Sequence, residues 1–207
     1  MKKIQLAGVL AAMLAAPLAQ AEGVYLAGTI GRASIDLERS EMDATLVSAG
    51  ATGVSSRVDE NDTHYGLAIG YAFNPNFAVE AGYVDFGDAR YRATFAGGNA
   101  DADVEAHGWA VSVLGIMPLG DAFSIYGRLG GIQAKVEIDV NATGPGGTAS
   151  GKASDRSWSM LYGIGAGYRV TEAIGVRAEY TRYDSVGGGD VGEGDVDTWS
   201  LGLTYSF

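Results

Sequence analysis

The chain has 207 residues, a formal net charge of -11, 32 glycines, 4 prolines and no cysteine. That length suits one domain or one closed barrel. The missing cysteines exclude disulfides, thiolate nucleophiles and thiolate metal sites, and the acidic balance argues against nucleic acid as a partner, because phosphate binding needs a basic footprint.

Residues 1–21 carry the pattern of a cleavable secretory signal. Lys2 and Lys3 precede an apolar centre from Ile4 to Leu18, and Ala19-Gln20-Ala21 offers a small-x-small cleavage site. Its removal moves the net charge from -11 to -13. No stretch beyond residue 21 approaches the roughly 20 apolar residues of a membrane helix, so residues 22–207 are expected to form a single domain that crosses a membrane, if at all, as strands.

Eight segments alternate or nearly alternate: about 24–36, 62–73, 77–87, 104–117, 122–139, 157–169, 174–184 and 195–207. Each supplies the roughly nine to eleven residues of a tilted transmembrane strand. The last is the clearest, with Trp199, Leu201, Leu203, Tyr205 and Phe207 alternating with Thr198, Ser200, Gly202, Thr204 and Ser206. Three connections are short and turn-like: Asn74-Pro75-Asn76, Pro118 to Asp121, and Val170 to Ala173. Four are long and polar: 37–61, 88–103, 140–156 and 185–194. Long and short connections alternate throughout, as they must in a barrel with short periplasmic turns and long external loops. A Greek-key sandwich has no reason to sort its loops this way. The pattern predicts an all-β fold, an eight-stranded antiparallel up-and-down transmembrane β-barrel, with the last strand closing on the first near Val24 to Ile30.

Period two assigns the faces. Tyr65, Leu67, Ile69, Tyr71 and Phe73 point to lipid, and His64, Gly66, Ala68, Gly70 and Ala72 point inward. In the sixth segment Trp158, Met160, Tyr162, Ile164 and Tyr168 point out, against Ser159, Gly163, Gly165 and Gly167. Small inward residues suit a narrow eight-stranded lumen. Tyr71, Phe73, Phe77, Phe123, Tyr168, Tyr205 and Phe207 gather at the short-turn end as an interfacial girdle, and Trp199 marks the outer interface. Four charged residues fall on the inner face: Glu80, Arg128, Arg177 and Glu179. Buried charges persist when paired, so an ionic network across the lumen is expected, either plugging the barrel or gating a narrow water path.

At these residues the chain resembles the OmpA-like family of eight-stranded outer-membrane barrels. The matching pieces are FAVEAGY (Phe77 to Tyr83), IYGRLGG (Ile125 to Gly131), RAEY (Arg177 to Tyr180) and SLGLTYSF (Ser200 to Phe207). The resemblance implies that Glu80, Arg128 and Glu179 belong to the family's interior charge cluster. The fourth segment offers Val111, Val113 and Leu114 where that cluster would place a base, so Arg177 becomes the candidate substitute. The peptidoglycan-binding domain of full-length members has no counterpart before Phe207, and wall anchoring is not implied. The terminal Phe207 resembles the signal read by the barrel assembly machinery.

Other chemistry is thin. His64 and His107 are the only histidines, near Asp62, Thr63 and Glu105, and no nucleophile motif accompanies them. The Gly187 to Asp195 stretch has the composition of a solvated loop, and its Asp190, Glu193 and Asp195, with Asp197 just beyond, could hold divalent ions weakly. Gly163-x-Gly165-x-Gly167 lies mid-strand with no helix after it and is not a nucleotide loop. No cofactor or resident metal is expected. Recognition is expected of the long loops, the first of which carries Glu38, Arg39, Glu41, Asp43, Arg57, Asp59 and Glu60. The sequence thus reads as a monomeric barrel in the outer membrane of a Gram-negative bacterium. Its role would be structural, among outer-membrane lipid and lipopolysaccharide, with loops open to host or phage ligands. The rivals are a narrow porin-like channel and a lipid-modifying enzyme.

Overall fold

The computed structural model describes residues 23–35, 39–59, 61–145, 147–188 and 193–207. The leader assigned to residues 1–21 lies outside them, as do Glu38, Glu60 and Asp190. The elements are β1 (Val24–Ile35), α1 (Arg39–Ser48), β2 (Ser55–Asp59), β3 (Asn61–Asn74), β4 (Phe77–Phe95), β5 (Gly98–Leu119), β6 (Phe123–Gly144), β7 (Gly147–Arg169), β8 (Ile174–Gly187) and β9 (Glu193–Ser206).

Eight of these strands form a closed antiparallel ring in the order β1-β3-β4-β5-β6-β7-β8-β9, and β9 returns to β1. The closing pairs run from Tyr25–Ser206 to Ile35–Val196, so no strand edge is left open in lipid. Following the pairs once round from Met117, through Ile125, Ala166, Ala178, Leu201, Ile30, Tyr65 and Asp85, returns to β5 at His107. That shear of about ten residues tilts eight strands by about 40°.

Two of the expected long loops are strand. Residues 88–103 and 140–156 continue the β4–β5 and β6–β7 hairpins with unbroken pairing to Phe95–Gly98 and Gly144–Gly147. At about 3.3 Å per residue, the 22 residues of β6 rise about 55 Å along the barrel axis, twice the roughly 25 Å apolar band. The alternation persists there with its chemistry changed. Ala89, Tyr91, Ala93, Ala100, Ala102 and Val104 point inward and are buried, while the outward side meets water and is charged. The first long loop also holds structure. Its β2 pairs with the upper part of β4, taking up the edge that β3 leaves, and α1 packs Met42 and Leu46 against Tyr91, Ala93 and Ala102. Among the described residues the strands therefore number nine, with eight in the ring.

The interior is layered. A cavity of about 290 Å³, bounded by Tyr25, Leu114, Tyr126 and the short turns, occupies the periplasmic end. Above it lies a charged layer, and above that an apolar layer containing Phe86, Ile132, Leu161, Tyr183 and Val196.

Candidate functional site

The charged layer is built from side chains of alternate strands, each placed inward by period two. Glu80 of β4 sits between inward Ala78 and Gly82; Arg128 comes from β6, and Arg177 and Glu179 from β8. Arg128 bridges both acids. Its Nη2 donates to Glu80 Oε2 at 2.7 Å and to Glu179 Oε2 at 2.9 Å, its Nε to Glu179 Oε2 at 3.1 Å, and its Nη1 to the Ser112 hydroxyl at 2.7 Å. Arg177 Nη1 donates to Glu80 Oε1 at 2.6 Å. The structure thus brings all four expected charges into one network of zero net charge, with Glu80 only 3% exposed.

Four further groups complete it, and the sequence did not single them out. Tyr25 donates to Glu80 Oε1 at 2.8 Å, Tyr126 to Glu179 Oε2 at 2.8 Å, and Thr181 to Glu179 Oε1 at 2.9 Å; Ser112 is the fourth. The two tyrosine rings lie across the lumen because glycines face them. A Cβ on Gly70 would fall 2.2 Å from the Tyr25 ring, and one on Gly165 would fall 2.3 Å from the Tyr126 ring. Ser112 occupies the lumenal position of the fourth ring strand. Val111 and Val113 are exposed to lipid, and Leu114 is buried below in the lumen, so the second base is Arg177. Arg177 Nε is the one buried side-chain nitrogen without a partner among the described residues.

His64 lies just above this layer. It is buried, its Nδ1 is 3.0 Å from the Asp85 carbonyl, and its ring stacks on Phe86 at 5.9 Å. Phe86 in turn meets Tyr183 edge-on at 4.7 Å. A cavity of about 50 Å³ separates the charges from this aromatic layer. His107 pairs with outward-facing Asp85 and Lys135, and its ring tilts against Tyr83 at 5.9 Å. Asp62 is taken up by the backbone amides of Thr63 and Asp88. Among the described residues neither histidine meets a hydroxyl.

On the outer surface Tyr71, Phe73, Phe77, Phe123, Tyr168 and Tyr205 are exposed at the periplasmic end, and Phe207 packs edge-on to Tyr205 at 5.1 Å. Trp199 is exposed at the other end beside Tyr180, and Trp109 with Trp158 extends that upper ring. The acidic group expected around 190–197 is partly committed already. Arg182 holds Asp195 and Asp197, Tyr180 donates to Asp197 at 2.7 Å, and the Ser185 amide donates to Asp195 at 3.1 Å. These contacts keep the Asp195 carboxyl below its ordinary pKa, the Arg182 hydrogen bond being the largest cause. Asp190 and the Glu193 side chain lie outside the described residues. Asp43, on α1, accepts from the Ser56 hydroxyl at 2.8 Å and the Tyr91 hydroxyl at 2.5 Å, which ties α1 to the sheet.

A closed eight-stranded ring with an apolar exterior band, aromatic bands at two levels and, within that band, paired charges confined to the lumen defines an outer-membrane β-barrel protein. The chain belongs to the outer membrane protein beta-barrel domain family, whose pattern matches residues 5–207. It is 33% identical to outer membrane protein A of Shigella flexneri over 150 residues, 72% of this chain and 41% of that one. It is 32% identical to outer membrane protein P5 of Haemophilus influenzae over 197 residues, 90% of this chain and 52% of that one. The chain thus spans about half or less of the length of these relatives. Among solved structures, Neisserial surface protein A aligns with 90% of this chain and 98% of its own, at 15% identity and a TM-score of 0.58. OprG from Pseudomonas aeruginosa aligns with 90% of this chain and 96% of its own, at 18% identity and a TM-score of 0.50. Both likenesses are of fold. The family places the protein in the outer membrane of Gram-negative bacteria.

Proposed function

We propose that this barrel is a closed, structural element of the outer membrane that contributes to envelope integrity, with its extracellular sheet and loops available for recognition. The observation that carries the reading is the filled lumen. A neutral charged layer is capped by an apolar layer, and Phe86, Ile132, Leu161 and Val196 in that layer are at most 1% exposed. The upper Trp ring would sit among outer-leaflet lipid and lipopolysaccharide, Phe207 would be the residue read by the barrel assembly machinery, and the protein would act as a monomer. Host surfaces or phage would be met by the extracellular sheet.

The test is a deletion strain. Loss of the protein should sensitise cells to vancomycin and bile-salt detergents, and the full 207-residue chain, leader included, supplied in trans should restore resistance. Unchanged sensitivity would remove the structural reading. A narrow channel is favoured by one observation, the cavity of about 290 Å³ open toward the short turns. Such a channel would have to cross the apolar layer, so single-channel openings by the purified wild-type barrel in planar bilayers would decide for it.

A further inference from the structure

The extracellular extension is a sheet with unequal edges. On one side, β4 is covered by β2 from Arg90 to Thr94. On the other, β7 is covered by β8 only from Met160 inward. Beyond that point β8 leaves: Ser185 takes a φ of 54° and Gly187 one of 103°, and the last hydrogen bond among the described residues is from the Gly187 amide to the Ser157 hydroxyl at 3.1 Å. From Gly147 to Arg156, β7 is paired with β6 alone, in continuous register without a bulge, and it is exposed along most of that length. Its backbone groups on the far side meet no strand among the described residues.

Natural sheets guard such an edge with prolines, bulges, short strands or charged side chains. Over ten residues this one has no proline and no bulge; its guards are the charges of Lys152, Asp155 and Arg156, which oppose a like-charged strand and leave an oppositely charged one free to pair. The Gly144–Gly147 pair closes a two-residue loop, so that pair exchanges both hydrogen bonds and the next pair out does not. The N–H groups of Thr148, Ser150, Lys152, Ser154 and Arg156 consequently point to the open side. The side chains are mostly small (Thr148, Ala149, Ser150, Gly151, Ala153, Ser154).

We propose that the Gly147–Arg156 edge of β7 docks an extended, acidic polypeptide segment of another protein, added antiparallel as a further strand. The proposal rests on the recognition half of the function above and gives it a place and a chemistry. Charge selects the occupant. Lys152 and Arg156 lie four residues apart on the outward face, where Lys152 pairs across to Asp139 at 2.6 Å and Arg156 has no ion pair among the described residues. An acidic side chain on the added strand opposite Arg156 would find a free guanidinium. A second copy of this chain fits worse. Directly opposite residues in an antiparallel pair share a face, and the stretch's one acid, Asp155, lies on the other face. No register therefore gives either cation an acidic partner, and registers centred on Lys152, Ser154 or Arg156 oppose like charges.

The test uses the full mature barrel refolded in lipid nanodiscs. The probe is a fluorescein-labelled ten-residue peptide of alternating threonine and valine with glutamates at two positions four apart. Saturable binding by anisotropy is expected, with slowed amide exchange at Ser150, Lys152 and Ser154. Replacing the glutamates with lysines, or making Arg156→Glu, should weaken binding tenfold or more. Ser154→Pro removes an outward N–H while sparing the β6 pairing, and it should abolish binding. Heat-modifiable migration establishes that each variant is folded. No binding to the wild type at millimolar peptide, equal binding by Ser154→Pro, or amides already protected without peptide would each overturn the proposal. Envelope resistance restored by Ser154→Pro in the deletion strain would leave the structural role standing whichever way the peptide result falls.

Discussion

Arg128→Met tests what the charged layer contributes. Among the described residues of the wild type Arg128 is the only base bonded to Glu179, while Glu80 keeps a second partner in Arg177. Removing Arg128 leaves Glu80 paired and Glu179 with only the hydroxyls of Tyr126 and Thr181. A buried charge deprived of its partner costs about 3–5 kcal/mol, which corresponds to an unfolding constant roughly a hundred- to several thousand-fold larger. Adding Glu179→Gln to Arg128→Met removes the stranded charge. The double variant should then recover to within about 1–2 kcal/mol of wild type, since a buried pair and its neutral replacement are nearly equivalent. The measurement is reversible urea unfolding in thin-bilayer vesicles, followed by fluorescence of Trp109, Trp158 and Trp199 and checked by migration on unheated gels. If the double variant is as unstable as the two single losses added together, Glu179 is not stranded by the loss of Arg128 and the bridging role fails.

In planar bilayers Glu80→Gln and Arg128→Met should both stay at background conductance, because the apolar layer around Phe86 seals the lumen independently; discrete openings in either would refute that seal. Phe86→Ala, at a fully buried position between His64 and Tyr183, should cost about 3–5 kcal/mol in the same urea assay. At the closing seam, a Cβ on Gly31 would lie 1.9 Å from the Trp199 carbonyl oxygen, so Gly31→Ala should cost about 1–3 kcal/mol or more and slow refolding; Gly28→Ala, with nothing within 4 Å, should stay within about 0.5 kcal/mol. Asp195 has a depressed pKa in the fold, so its contribution is complete above about pH 4 and is lost as pH falls through the lower folded value. Amide exchange at Ser185, corrected for intrinsic rates, should accelerate below about pH 4 in the wild type, and that dependence should weaken in Arg182→Gln, where the Ser185 bond is left to hold the carboxyl down without the guanidinium.

The ring was legible because lipid and lumen impose opposite demands on alternate residues. The run from Trp199 to Phe207 and the small inward set of β3 show this without ambiguity. Outside the bilayer the period survives, but water replaces lipid on the outer side. Asp101, Asp103 and Glu105 then alternate with Ala100, Ala102 and Val104, and a stretch scored by its polarity looks like loop although it is strand. The four charges stood out among inward glycines and alanines. Tyr25 did not, because a tyrosine near a strand end reads equally as girdle or lumen; Tyr126 falls on the inner face beside Arg128 by period two, but nothing in the sequence shows that its hydroxyl reaches Glu179. The apolar layer was hidden for two reasons. Leu161 sits in a run of large residues with no contrast, and Phe86, which shares the inward parity of Glu80, stands just before the register shift between Asp85 and Asp88 that reverses the parity for Ala89, Tyr91 and Ala93.

The position of the charged layer follows from what a bilayer withholds. Lipid tails are as apolar as leucine, so burying Leu67 or Leu203 against them gives no preference for one strand register over another. Specificity has to come from inside. Tyr25, Glu80, Ser112, Arg128 and Glu179 tie β1, β4, β5, β6 and β8 together through bonds of 2.7–3.1 Å. A slip of one residue in any of these strands would turn a charge or hydroxyl into hydrocarbon and strand its partners in the lumen. The network therefore acts as a register lock, and the apolar layer beyond it supplies the packing that the exterior cannot.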